Sequence, residues 1–312
     1  MNVPFWVWAA LIVGLFVLLM VDLFVVSHDP HELRIWEAAR WAALYVVLAI
    51  AFGVGLWAVS GAEFASQYFA GYLLEESLSV DNLFVFVLIM TAFAVPPEHQ
   101  HKVLLFGVIG SLVLRGIFIA AGVALLEAAH GVIIVFGAFL VATGIRLATQ
   151  RETVPDVASN PLVRIVRGIV PTSVEYDGGR ILTRLDGRRA LTPIGVAMIA
   201  IASTDVLFAV DSIPAVFGVT REPFLVFASN AFALIGLRSL YFLLAGAVQR
   251  LVYLNIGLAV ILIFVGLKMV LEDAITIPVW LSLLVIVVVM AVTVAASLWR
   301  EARQPAEVSA RR

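Results

Sequence analysis

Nine runs of roughly twenty apolar residues follow one another along this chain, with short polar stretches between them. A helix needs about 20 such residues to cross the hydrocarbon core of a bilayer. In lipid every backbone N–H and C=O must find its partner within the chain, so runs of this length fold as helices. The spans read as 4–26, 39–60, 66–93, 102–124, 130–149, 192–213, 222–246, 250–271 and 278–299. With 62% hydrophobic and 13% charged residues and a mean hydropathy of +1.07, the chain is far too apolar for a soluble domain of its size. The expected fold class is all-α, a polytopic membrane protein of about nine transmembrane helices. The first run has no basic n-region or clear cleavage site and reads as a helix, not a cleaved signal. The third is long enough to tilt or to break. The sixth meets Pro214, which has no N–H to give the carbonyl of Val210 and is expected to open the helix near Asp211.

Basic residues orient the chain. Sixteen Lys and Arg fall in the loops after helices 1, 3, 5 and 7, near those helix ends or in the C-terminal tail; only Arg221 falls on the other side. That asymmetry predicts an inner-membrane protein with its N-terminus outside and its C-terminus in the cytoplasm. The largest loop, 150–191, is then cytoplasmic. Asn160 to Arg167 suits a short interfacial helix. Ser173 to Leu185 suits a hairpin turning at Asp177-Gly178-Gly179, with Asp186-Gly187 as a second turn. The loop is too short for a catalytic domain, and what partner it meets is open. The Arg-rich tail suits an anchor near anionic lipid.

Six carboxylates, Asp22, Glu75, Glu76, Asp81, Asp205 and Asp211, interrupt the apolar runs. Acids inside a membrane are expensive and mark function by default. Glu75/Asp81 and Asp205/Asp211 share one spacing, i to i+6, and Asn82 and Ser212 follow the second acid of each pair. The echo continues with Arg115 and Arg238, and with Gly144-Ile145-Arg146 and Gly266-Leu267-Lys268. Helices 3–5 and 6–8 therefore read as one three-helix unit used twice. An odd number of helices per unit inverts the second copy, a plan that places a transport site at the repeat interface. The expected organisation is 1–62 for helices 1 and 2, 63–149 for the first repeat, 150–191 for the loop, 192–272 for the second repeat and 273–312 for the last helix and tail.

At 100° per residue an i, i+6 pair does not share one stripe; it converges only where a helix breaks or wraps a cleft. Glu75 with Asn82, and Asp205 with Ser212, do share a face. Oxygen donors of this kind suit hard divalent cations. Arg115, Arg238 and Lys268 are the intramembrane bases, and each offers charge balance to one acid. Six acids against three bases leave a surplus that needs protons or a cation. Asn230 offers either a ligand oxygen or a helix–helix hydrogen bond. Ser203 and Thr204 suit bonds to their own backbone. Adjacent i, i+2 residues such as His99 and His101 point apart on a helix, so they make a poor metal pair. Cysteine is absent, which removes thiolate ligands and disulfides. No nucleophile triad, phosphate loop or nucleotide fingerprint is present, so neither an enzyme nor a resident cofactor nor a nucleic-acid partner is expected.

Three segments carry a family resemblance. Glu75 to Phe86, Thr204 to Ala215 and Ser229 to Phe242 resemble the motifs of the TerC family of membrane proteins, and with the helix count the resemblance spans nearly the whole chain. The family is named for tellurium resistance, and some members are associated with manganese export. The resemblance implies a divalent metal exporter, with Glu75, Asp81, Asp205 and Asp211 as the acidic ligands and Asn82, Ser212 and Asn230 assisting. Mn²⁺ is then the first candidate substrate, other divalent ions remain open, and proton return through the same carboxylates is an expected coupling. Many members carry a further Glu where this chain has Ala202, which bears on affinity and metal preference. An acid-lined site repels an oxyanion such as tellurite. The alternative is a membrane-embedded stress or assembly factor that binds partners and does not transport.

Overall fold

The computed structural model describes residues 3–26, 35–128, 131–149, 171–173, 176–185, 188–244, 253–272, 274–275 and 277–303. Side chains at 22–26, 35, 80, 81, 84, 127, 188, 207, 211, 238, 244 and 301–303 lie outside that description. So do the 160–167 segment and the tail beyond Arg303. Among the described residues the chain forms nine α-helices and one small hairpin. The helices are α1 Phe5–Val26, α2 Ile35–Ser60, α3 Ala62–Ala92, α4 Pro97–Ala128, α5 Val132–Thr149, α6 Pro193–Phe217, α7 Pro223–Leu244, α8 Leu254–Val270 and α9 Val279–Arg303.

By length and composition α2, α4, α5, α6 and α9 can each cross a membrane, and α1, α7 and α8 hold shorter apolar stretches. α3 is 31 residues long, but Glu63, Glu75, Glu76 and Asp81 interrupt its apolar run. Trp6, Trp36, Trp57, Trp280 and Trp299 sit exposed at helix ends, where amphipathic rings favour the membrane–water interface. The chain is an integral membrane protein.

Three elements differ from expectation. α6 runs unbroken through Pro214. The proline lies within the last turn, so only the carbonyl of Val210 loses its partner, and Gly218 closes the end by donating to the carbonyl of Pro214. α3 is likewise continuous. The hairpin is built from β1 Leu182–Leu185 and β2 Arg188–Leu191, antiparallel on either side of Asp186-Gly187. Asp177-Gly178-Gly179 forms a separate turn, with Gly178 at a φ of 52°. An Asp-Gly pair between two short alternating runs is the stronger hairpin signal. α4 also begins earlier than expected, because Pro97 fits the first helical position.

Close contacts fix the helix directions. α3 and α7 are parallel: Gln67 accepts a hydrogen bond from Thr220 at 2.6 Å, just ahead of α7, and Gly71 faces Ser229. α4 and α6 are parallel, with Gly107 on Ile201 and Gly122 on Phe217. α4 and α7 are antiparallel, since Tyr241 donates to Gln100 and Gly116 faces Phe227. α5 and α8 are antiparallel and nearly touch: Gly137 meets the carbonyl of Gly266, and Gly144 meets that of Ala259. Small residues permit this approach of backbones in a membrane. A Cβ on Gly266 would lie 2.6 Å from the oxygen of Gly137. Gly266→Val is therefore expected to destabilise the fold by about 1–3 kcal/mol or more, read as a lower melting temperature and early aggregation in detergent.

At one end of the bundle the 176–181 segment packs onto the α3–α4 turn. Tyr176 donates to the carbonyl of Phe93, and Lys102 donates to that of Gly179 at 2.6 Å. Thr192 caps α6 and also donates to the carbonyl of Arg180, tying the hairpin to the helix. At the other end a cavity of about 310 Å³ opens between the starts of α3 and α5 and the turns after α6 and α8.

Candidate functional site

α7 is central and touches α2, α3 and α4. It brings Asn230 against the middle of α3, where Glu75 is fully buried. Asn230 Nδ2 donates to Glu75 Oε1 at 2.8 Å. Arg115 Nη1, from α4, forms an ion pair with Glu75 Oε2. Both Glu75 oxygens are thus occupied. Arg115 is 1% exposed, and its Nε and Nη2 have no hydrogen-bond partner.

Asp205 on α6 has the opposite character. It is 1% exposed, and among the described residues no donor reaches either carboxylate oxygen at full hydrogen-bond geometry, although the Ser111 hydroxyl lies close by. Ser111 and Arg115, one turn apart on α4, lie beside it, and the Ser111 hydroxyl is itself unpartnered. Arg115 therefore stands between a satisfied acid and an unsatisfied one. A buried carboxylate without a partner is strongly unfavourable in its charged form.

Two helical turns beyond these acids lies a cavity of about 90 Å³ between α3, α5, α6 and α8. Asn82 and Ser212 both line it, together with Leu78, Thr143, Leu147, Phe208, Leu258 and Leu262. Both are buried, and Ser212 Oγ is unpartnered. The residues that follow Asp81 and Asp211 thus share one space, although the aspartate side chains, like those of Asp22 and Arg238, lie outside the described residues. Among the described residues no three His, Cys, Asp or Glu side chains converge as a ready metal site.

The other polar residues sort by place. Glu76 accepts from Tyr72 at 2.8 Å. Lys268 is remote from the acids just described: it donates to Ser282 at 3.1 Å and lines the end cavity, where Arg221 pairs with Glu272. Ser203 and Thr204 both donate to the carbonyl of Ala200. His99 faces Gly179 and His101 stacks on Phe242, so the two diverge. Ser111, Tyr72 and Thr143 are site-facing residues that sequence reasoning missed. Ser111 was within reach of it, being one turn before Arg115 on the same face of α4.

Together these features define a polytopic membrane protein with a buried polar network spanning four helices, α3, α4, α6 and α7. The model of the integral membrane protein TerC family matches residues 60–305, and the chain belongs to that family. It is 43% identical over 298 residues to a membrane protein of Myxococcus xanthus, covering 96% of this chain and 93% of that one. It is 37% identical over 302 residues to Alx of Escherichia coli (strain K12), named as a membrane-bound redox modulator, covering 94% of each. A membrane protein of Mycobacterium tuberculosis (strain ATCC 25618 / H37Rv) is 40% identical over 328 residues, covering 98% of this chain and 83% of that one. No solved structure matches.

Proposed function

We propose that this chain exports a divalent metal ion from the cytoplasm by alternating access, with Mn²⁺ the first candidate and protons the returning charge. The observation that carries this reading is Asp205, a buried intramembrane carboxylate whose oxygens no described donor meets at full hydrogen-bond geometry. A hard cation or a proton supplies the missing counter-charge. The surrounding donors are oxygens, and the chain has no cysteine to favour a softer metal. The same absence removes thiol–disulfide exchange as a way for this chain to act as the redox modulator of Alx's name.

The site is read as two inverted halves, α3–α5 and α6–α8. Exchanging the halves turns the parallel α3–α7 pair into the parallel α6–α4 pair. It leaves the α4–α7 and α5–α8 pairs in place, and both are antiparallel, as a two-fold axis in the membrane plane requires. The alignment that matches Gly144 to Gly266 also matches Gly137 to Ala259, so the two close contacts of α5 with α8 exchange. The alignment that matches Arg115 to Arg238 sets Gly107 against Asn230. Asp205 thus lacks the amide that holds Glu75, and the two halves differ where one acid must be free. Asn82 and Ser212 line the shared cavity, and Asp81 and Asp211, their neighbours in sequence, are the further acids of the proposed site. The excess of basic residues supports a cytoplasmic side for the hairpin end and the C-terminus.

Intracellular manganese in cells carrying Asp81→Asn or Asp211→Asn tests the assignment. Normally expressed variants are expected to lose the lowering of manganese that the wild type gives; either variant behaving as wild type removes these residues from the site. Loss of the phenotype only on deletion of the 150–191 loop favours the alternative, a membrane-embedded factor that works through a partner.

A further inference from the structure

We infer that Arg115 is a tethered counter-ion that exchanges between Glu75 and Asp205, holding one acid while the other is open to the transported cation. The inference rests on the exporter reading and extends it to a residue that binds no metal.

The guanidinium carries five N–H donors in a rigid fork. One Nη serves Glu75, while Nε and the second Nη are buried with no acceptor. Asp205, beside it, has two buried oxygens that no described donor meets at full hydrogen-bond geometry. Unmet donors and unmet acceptors near one another in one buried cluster leave an interaction that a helix or side-chain displacement would complete. Ser111 sits one turn earlier on α4, with its hydroxyl next to Asp205, and extends the landing site. α4 and α6 run parallel and pack closely one turn before Asp205, where Ile201 seats against Gly107. Asn230, a neutral donor on α7, remains on Glu75 when the guanidinium leaves.

Such an arrangement meets two requirements of a carrier. Without metal, the buried acids must not be left uncompensated, and a resident cation on a tether satisfies one of them at a time. With metal, the tethered cation must move aside, and its repulsion from the incoming ion couples binding to a change in helix packing. Arg115 is therefore a positioning residue. It sets which carboxylate is exposed, and it competes with the substrate for it. Lysine is a poor replacement, because a point charge on a flexible stem lacks the fork that spans two acids.

Equilibrium binding of Mn²⁺ to purified full-length protein in nanodiscs, read by loss of the free-ion paramagnetic resonance signal, tests this with a double-mutant cycle. In Glu75→Gln the guanidinium has only Asp205 to pair with, and Mn²⁺ affinity is expected to fall at least tenfold. Adding Arg115→Gln removes the competitor, and affinity is expected to recover at least fivefold over the single variant. A merely structural ion pair gives the reverse, with the double variant binding no better than Glu75→Gln, and that result overturns the inference. The double variant removes both partners of the ion pair together, so neither charge of that pair is left alone to prevent folding. If the wild type binds no Mn²⁺, the exporter reading fails and takes this inference with it. If the wild type binds and only the recovery is missing, the exchange alone is wrong.

Discussion

Purified Asp205→Asn is expected to bind Mn²⁺ far more weakly than the wild type. The substitution keeps the size and shape of the side chain and removes the charge. Loss of a supporting residue around a metal typically lowers affinity by roughly 10- to 100-fold. Removing a charged ligand from a low-dielectric site exceeds that. The expectation is specific to Asp205, because its oxygens are buried and met by no described donor at full hydrogen-bond geometry, whereas Glu75 already holds Arg115 and Asn230. Folding is not expected to suffer, since the substitution removes a buried charge and keeps an oxygen for the Ser111 hydroxyl. Isothermal binding alongside thermal unfolding separates the two effects: affinity falls while the melting temperature holds or rises.

Arg115→Leu has the opposite profile. The arginine is 1% exposed and Glu75 is fully buried, so truncation leaves a buried carboxylate with one neutral donor. Breaking a buried ion pair from one side typically costs about 3–5 kcal/mol. The metal-free protein is expected to lose that much stability and to run as a broader, aggregated species in detergent. Glu75→Leu combined with Arg115→Leu removes both charges and is expected to recover most of the loss. A single variant as stable as the wild type contradicts the pairing described above.

Much of the architecture is legible in the residues, because lipid leaves an apolar run few choices. Among the described residues each predicted span overlaps one helix, with ends that shift by a few residues, and five of these helices are long and apolar enough to cross a membrane. α4 starts at Pro97, ahead of Lys102, because charged residues do not stop a helix in water. α6 survives Pro214 because the proline falls within its last turn, a matter of register that the apolar pattern does not report. The hairpin at Asp186-Gly187 was available in the sequence, and the glycine pair at 178–179 drew attention from it.

The acids were legible as a group, but their partners were not. Arg115 and Glu75 are 40 residues apart, and Asn230 reaches Glu75 across 155 residues. Which of these meet depends on how closely helices approach, and Gly71, Gly107 and Gly137 set that distance by what they lack. Lys268 shows the same point in reverse. Its sequence position suggested charge balance for the site, and the structure puts it on Ser282 in the end cavity.

The central claim is that this chain itself moves a divalent cation across a membrane. Purified protein reconstituted into sealed vesicles, with external Mn²⁺ and an internal metal-sensitive dye, tests it most directly. Flux that depends on protein, saturates with Mn²⁺, responds to an imposed pH gradient and disappears in Asp205→Asn is the predicted result. Vesicles containing correctly folded wild-type protein that admit Mn²⁺ no faster than empty vesicles, in either direction of the gradient, would contradict the account.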